Sequence, residues 1–258
     1  MEFFDSHAHY NDERFEGDME EIFNKIYKFG VTRIINSGYS VNSSEFSVKL
    51  TKKYDWIYAT CGISPNDIID EEDVIKKQLA EIEELAKNNK VVAIGEIGLD
   101  YYWNKENKGE QKELFVKQIN IANKLNLPIV IHTREAIMDT IQILKEKTVN
   151  QKGVFHCCPL NSELIKEALN LGFYISLAGP ITFKNSKNAE SIIDIIPLEK
   201  TLIETDSPYL SPEPNRGKRN DSRNLQYMAK KIAEIKNVDI KEVAKITYEN
   251  TNRIFKLN

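Results

Sequence analysis

Eight short apolar runs, each followed by a segment of helical spacing, are the feature that most constrains the fold of this chain. The runs are Phe3–Ser6, Val31–Asn36, Ile57–Gly62, Val91–Glu96, Pro128–His132, Gly153–His156, Phe173–Leu177 and Thr201–Glu204. Their length and β-branched content fit strands buried on both faces. Between them, Ile75, Leu79, Ile82 and Leu85 fall on one helical face, as do Phe115, Ile119, Ala122 and Leu125. Val243, Ile246 and Ile254 repeat the pattern near the C-terminus. Eight strands alternating with helices in 258 residues predict an α/β chain folded as one (β/α)8 TIM barrel, a single domain over residues 1–258. A doubly wound open sheet is the rival, but no glycine-rich phosphate fingerprint follows the first strand. One irregular stretch, Ser207–Asp221, is rich in Pro, Arg, Lys and Asn; loops of this length in compact domains are often functional.

Charge narrows the range of partners. The chain carries 35 Lys and Arg against 39 Asp and Glu, a net charge of −4, so it does not attract duplex nucleic acid by bulk charge. A polyanion must instead be held by a local cluster or by bound cations. No apolar run approaches the ~18 residues of a membrane span, so no membrane partner is expected. The opening Met1-Glu-Phe-Phe-Asp5 lacks a basic region followed by an apolar stretch, so no secretory signal is expected. Three cysteines, two of them the adjacent Cys157 and Cys158, suit a reducing compartment better than a disulfide framework. A cytoplasmic location is the expectation.

The chemistry gathers at strand ends. In Val91-Val-Ala-Ile-Gly-Glu-Ile-Gly98 an apolar strand runs directly into Glu96, with Gly95 and Gly98 predicting a tight turn. A carboxylate at such a place is costly unless something positive meets it. The chain has four histidines, and all lie at predicted strand ends: His7 and His9 after the first, His132 and His156 at the fifth and sixth. His7-Ala8-His9 puts two imidazoles on one side of an extended chain. Singly, each group has an ordinary explanation: a capping pair, a hydrogen-bonded core histidine, an arginine partner for Glu96, a turn-forming Asp206. A barrel, however, brings every strand end to one rim. Four imidazoles and two carboxylates there favour Zn²⁺ or Mn²⁺ over Mg²⁺. Six groups exceed one tetrahedral ion with an open position and suit two divalent ions sharing a bridging carboxylate.

His7-Ala-His9, Ile94-Gly-Glu-Ile-Gly-Leu-Asp-Tyr-Tyr102, Leu127-Pro-Ile-Val-Ile-His-Thr-Arg-Glu-Ala136 and Glu204-Thr-Asp-Ser-Pro-Tyr-Leu210 closely resemble the TatD family of metal-dependent deoxyribonucleases. The likeness continues to Tyr248-Glu-Asn-Thr-Asn-Arg-Ile-Phe255. The resemblance implies an amidohydrolase-type barrel, a two-metal centre and hydrolysis of DNA phosphodiesters, with a single strand attacked from an end as the expected mode. Carried over residue by residue, it implies His7, His9 and Asp206 as ligands of one metal, His132 and His156 as ligands of the other, and Glu96 as the bridge. Asp206 is then expected to orient and deprotonate the attacking water, so that Glu96 and Asp206 are the catalytic pair.

Departures from the family pattern fall around the substrate rather than the metals. Where the family has Gly-Ile-His-Pro-His, this chain reads Gly62-Ile-Ser-Pro-Asn66, leaving Ser64 and Asn66 as weaker substrate contacts. The usual Phe-Ser-Gly after the sixth strand is Cys158-Pro-Leu160, and Asp221-Ser222 stands where Glu-Pro is usual. Arg216, Lys218 and Arg219 offer charge to flanking phosphates. Tyr101 and Tyr102, with Trp103, offer rings for unpaired bases, and Arg134 and Glu135 are candidates for orienting ligands. Two other functions share these histidines: hydrolysis of a small cyclic amide, lactone or phosphotriester, and metal-dependent nucleic-acid binding without turnover.

Overall fold

The computed structural model describes residues 1–69 and 71–257. Eight strands form one parallel sheet in sequential order: β1 (Phe3–Ala8), β2 (Val31–Ser37), β3 (Ile57–Cys61), β4 (Val91–Asp100), β5 (Ile129–Arg134), β6 (Gly153–Phe155), β7 (Tyr174–Leu177) and β8 (Thr201–Ile203). Closure comes from a parallel bridge between Ala8 and Ser207, supported by the His9 amide donating to the Ser207 carbonyl at 2.6 Å. Helices α1 (Met19–Phe29), α2 (Val41–Lys53), α3 (Glu72–Leu85), α4 (Lys108–Leu125), α5 (Ile137–Glu146), α6 (Ser162–Asn170), α7 (Ala189–Ile195), α8 (Leu225–Lys236) and α9 (Ile240–Ile254) lie along the chain around it. This is the (β/α)8 barrel that the alternation predicts. Among the described residues no helix is long and apolar enough to cross a membrane.

Strand alternation divides the core in two. Phe4, Ile35, Val92, Val130, Val154, Tyr174 and Leu202 pack against one another inside the barrel, together with Ile254 and Phe255 at the end of α9. The larger cluster lies between sheet and helices, where Phe23, Ile34, Ile57, Ile94, Phe115, Ile131 and Ile165 are buried. There Ile82 of α3 and Phe115, Ile119 and Ala122 of α4 present the predicted faces. Each fully buried aliphatic or aromatic side chain contributes about 1.5–3 kcal/mol, which is what keeps the polar upper rim rigid.

One boundary differs from expectation in a way that matters. β4 does not turn at Gly95 and Gly98 but runs on to Asp100, so Glu96 lies within the strand. Pairing with β5 slips between Ile94 and Ile97, then resumes from Ile97 to Asp100. The glycines allow contact rather than a turn. A Cβ on Gly95 would meet the Val130 Cβ at 2.5 Å, and one on Gly98 would meet the His132 carbonyl oxygen at 2.0 Å. Gly98 also has φ of +141°, which L side chains rarely adopt.

Gly98→Ala should therefore cost about 3 kcal/mol or more from backbone strain plus overpacking. That corresponds to a fall in Tm of roughly 6–12 °C for a chain of this size. Gly109→Ala, in the first turn of α4 with nothing within 4 Å of its Cβ, should leave Tm unchanged or raise it slightly. Equal melting curves for the two variants would show that β4 and β5 do not need this approach.

Candidate metal centre

The upper rim collects the predicted groups into one cluster. Glu96 projects from the shifted part of β4, and His7 from β1 with His9 just beyond it. His132 comes from β5, and His156 follows β6 directly. Asp206 sits past β8 with φ of +54°, a left-handed conformation that aspartate tolerates better than most residues. Its amide donates to the His7 carbonyl at 3.0 Å, so the contacts that close the barrel also bring Asp206 to the first strand.

The two oxygens of Glu96 divide the imidazoles between them. Oε2 lies 3.4 Å from His7 Nε2 and 3.5 Å from His9 Nε2, and those two nitrogens are 3.0 Å apart. Asp206 Oδ1 completes this group at 3.5 Å and 3.3 Å from the same nitrogens. On the other side, Glu96 Oε1 lies 2.9 Å from His132 Nδ1 and 3.2 Å from His156 Nε2, themselves 3.1 Å apart. Such convergence of lone-pair atoms needs a cation or bound protons at its centre. Asp206 Oδ1 is buried without a hydrogen bond, which also fits a ligand atom. His7, His9 and Glu96, and separately Glu96, His132 and His156, have their donor atoms close enough to hold an ion, as do His7, His156 and Asp206.

The far ring nitrogens are fixed by groups that sequence reasoning passed over. His9 Nδ1 lies 3.1 Å from the Ser37 carbonyl, which can only accept, so the proton is on Nδ1 and the Nε2 lone pair faces the centre. His7 Nδ1 is 3.0 Å from the Ser37 hydroxyl. His132 Nε2 meets Asp100 Oδ2 at 3.0 Å, so His132 presents Nδ1 instead. His156 Nδ1 is the exception: it lies 3.4 Å from Glu204 Oε1 without an aligned hydrogen bond, and that oxygen accepts the Cys157 amide at 2.6 Å. Period two was the available signal: Asp100 is four residues beyond Glu96 on the same strand, and Glu204 two before Asp206.

Electrostatics follow from burial and proximity. Burial pushes the Glu96 carboxyl up, yet the charge on His156 and hydrogen bonds from His132, His156 and His7 together hold it well below the usual carboxylate range. Burial likewise opposes charge on His156, but Glu96 and Glu204 outweigh it and raise the imidazole well above its ordinary value. His9 and His132 are raised in the same way, against burial, by Asp206 with Glu96 and by Asp100 with Glu96 respectively. His7 is lowered, by burial and then by His156. Asp100, opposed by burial and favoured by His132 and Asn66, falls to about 2.

The expected substrate contacts are placed less uniformly. Ser64 is buried, with its hydroxyl accepting the Asn66 amide at 3.1 Å. Asn66 donates its side-chain amide to Asp100 at 3.2 Å, so it supports the support of His132. Tyr101 does not present a ring to the rim: it is buried, with its hydroxyl on Asp139 at 2.7 Å. Tyr102 and Trp103 are exposed, and the Arg134 guanidinium lies 3.7 Å over the Tyr102 ring. Glu135 does not approach the ligands; it pairs with Lys105 at 3.6 Å. Arg219 is tied to Asp18 at 3.0 Å and stacks over Phe15. Lys218 shares with Arg219 a surface depression that has no residue in common with the cavity beside the metal ligands. Arg216 stacks 3.6 Å over Phe183, which follows the 3-10 turn Gly179–Thr182 after β7. Among the described residues neither Arg134 nor Arg216 has a carboxylate partner, unlike Arg14, Arg219 and Arg223.

Comparison with known proteins agrees with this geometry. The sequence profile described as TatD related DNase matches residues 4–256. An uncharacterized metal-dependent hydrolase of Bacillus subtilis, YabD, is 43% identical over 256 residues, 99% of each chain. A relative from Buchnera aphidicola, also described as an uncharacterized metal-dependent hydrolase, is 37% identical over the whole of both chains. Among solved structures, the TatD homologue YjjV of Escherichia coli superposes with a TM-score of 0.93 at 26% identity, covering 99% of this chain and 98% of its own. The chain belongs to the TatD family and is a metal-dependent hydrolase.

Proposed function

We propose that this protein hydrolyses DNA phosphodiester bonds at a centre holding two divalent ions, working on a single strand from its end. The observation that carries the two-ion reading is the division of Glu96, one oxygen toward His7, His9 and Asp206 and the other toward His132 and His156. One ion could be chelated by both oxygens, but here each oxygen faces its own pair of imidazoles, which suits one ion on each side. When bound, such ions acidify water and offset charge on phosphate oxygens. Zn²⁺ and Mn²⁺ suit the imidazole-rich donor set better than Mg²⁺.

The chain's own residues supply the rest. Ser37 and Asp100 hold the rings of His9 and His132 so that lone pairs face inward, and Glu204 lies 3.4 Å from His156 Nδ1. Asp206 is the one carboxylate of the centre that also lines the adjoining cavity, where it orients the attacking water and takes its proton. Arg134 and Arg216, each laid on an aromatic ring and free of carboxylates, hold phosphates on either side of the reacting one. The family's description as DNases supports the choice of DNA.

Glu96→Gln should cut activity on single-stranded DNA by about a thousandfold or more. Bound metal, measured by elemental analysis, should fall from two ions per chain to one or none. A variant that keeps two ions and full activity removes the bridge. For the rim, Arg216→Ala should raise KM about tenfold and reduce the salt slope by roughly 0.7, the contribution of one single-strand phosphate. Arg219→Ala, whose guanidinium is committed to Asp18, should leave that slope unchanged. Identical slopes for the two variants would return Arg216 to the solvated surface.

Metal uptake should be coupled to protons. His9, His132 and His156 are raised from an ordinary 6.5, and each must be neutral to bind a cation. In metal-free protein a raised imidazole stabilises the fold fully below 6.5, and that stability is lost as pH rises through the folded-state value. Tm of chelated protein should therefore fall as pH rises above 6.5, whereas Tm with saturating Zn²⁺ or Mn²⁺ should rise over the same window. Calorimetry in two buffers of different ionisation heat should count more than one proton released per chain. Metal affinity independent of pH would sink this account.

A further inference from the structure

Beside the metal ligands lies a cavity of about 520 Å³, within the ~300–1,000 Å³ usual for small-molecule sites. His132, His156 and Asp206 form one end. Pro159, Leu160, Pro180 and Ile181 form a hydrocarbon wall, and Trp103 and Arg134 stand at the edge. Pro159 and Leu160 belong to the stretch that departs from the family pattern, where a serine and a glycine are usual. A backbone N–H and an unobstructed position have given way to a ring and a branched side chain. The hydroxyls nearby are already engaged, Thr133 with Thr140 at 2.9 Å and Tyr209 with Asp12 at 2.8 Å, and the remaining polar side chains of the lining are the weakly hydrogen-bonding thiols of Cys157 and Cys158.

We propose that this cavity receives one unpaired nucleobase, that of the nucleotide adjoining the scissile phosphate, with Trp103 against its face and Arg134 on the next phosphate. The inference rests on the nuclease reading of the centre. With a phosphate at the metal end, the next group along a strand is a sugar carrying a base, and the wall it meets is apolar. Every base has a flat π face that such a wall desolvates, whereas its polar edge needs partners that the wall lacks. Recognition is accordingly tolerant of sequence. A paired base cannot enter, so preference for single strands arises from the shape of the cavity rather than from the metals. Arg134 is stacked on Tyr102, which keeps its N–H edge available for a phosphate while fixing the guanidinium plane.

Two measurements test this, the first on the wild-type protein and the second on it beside two variants. The first compares single-stranded oligonucleotides with ordinary termini against the same strands carrying abasic residues at both ends. Since stacking is worth about 1–3 kcal/mol per base, the abasic ends should lower kcat/KM for the first cleavage roughly 5- to 150-fold. The second follows tryptophan fluorescence, which has two sources in this chain. Trp56 is packed against Phe23 and Tyr54, so Trp103 should report the cavity. Deoxyadenosine monophosphate should quench it, deoxyribose phosphate should not, and the response should vanish in Trp103→Phe. Leu160→Glu, checked for an unchanged fold by its Tm, should abolish both the quenching and the preference for a terminal base. Equal cleavage of ordinary and abasic ends, or equal quenching by the two phosphates, overturns the base cavity and leaves the nuclease reading standing. Hydrolysis of methyl p-nitrophenyl phosphate with no cleavage of either oligonucleotide overturns both.

Discussion

A carboxylate buried in the mouth of a barrel sets the terms for everything around it. Glu96 is only 8% exposed, and the strand that carries it is apolar apart from Asp100 at its end. Isolated there as an anion it would cost several kcal/mol. Four imidazoles meet both oxygens instead, and the backbone accommodates them at several points. β1 and β2 lose register between Asp5 and Ala8, β4 and β5 between Ile94 and Ile97, and Asp206 takes a left-handed conformation. Each of these irregularities lies beside a ligand. Register also slips between Phe3 and Phe4 and between Ala59 and Thr60, away from the ligands, while β2 with β3 and β7 with β8 stay regular. The shifts at Asp5–Ala8 and Ile94–Ile97 are the two that carry a ligand.

A second layer makes that aim specific. An imidazole can present either nitrogen, and the choice lies with whatever holds the opposite one. Asp100 takes Nε2 of His132, and the Ser37 carbonyl takes Nδ1 of His9, so neighbouring ligands present different atoms to one centre. Asn66 extends the chain of support by donating to Asp100. The departure from the family pattern at this position therefore bears on the metal end of the site as well as on the substrate. Replacing an imidazole that faces substrate by an amide that faces Asp100 exchanges a contact for a brace.

How far the sequence foretells this depends on the kind of information required. The barrel was legible because eight apolar runs with helical segments between them admit few closed arrangements, and the helical faces of α3 and α4 fall where periodicity puts them. The six clustered groups were legible because histidine is scarce in this chain and each one stands at a strand end. What stayed hidden was relational. Tyr101 and Tyr102 are adjacent and chemically alike, yet one is buried against Asp139 and the other open under Arg134. Arg216 and Arg219 occupy the same basic loop, and only the fold shows that Asp18, some two hundred residues away, claims the second. Glycines mislead for a related reason: Gly95 and Gly98 read as a turn in one dimension, while in three they are the space that β5 needs.

The net charge of −4 then becomes intelligible. A polyanion is not drawn in by the molecule as a whole, and many basic side chains at the surface are paired with acids, as Lys112 is with Asp139 and Lys124 with Glu83. Among the described residues Arg134, which lines the cavity, and Arg216, on the loop after β8, have no carboxylate partner, and each rests on an aromatic ring that fixes its plane without neutralising it. The cavity that Arg134 borders has a wall of Pro159, Leu160, Pro180 and Ile181, and His132, His156 and Asp206 line the same cavity. Along such a path a phosphate meets cationic groups at spaced points and a base meets surface that cannot distinguish its edge. On the proposed nuclease reading, that arrangement would hold a strand by its repeating features and ask nothing of the order of its bases.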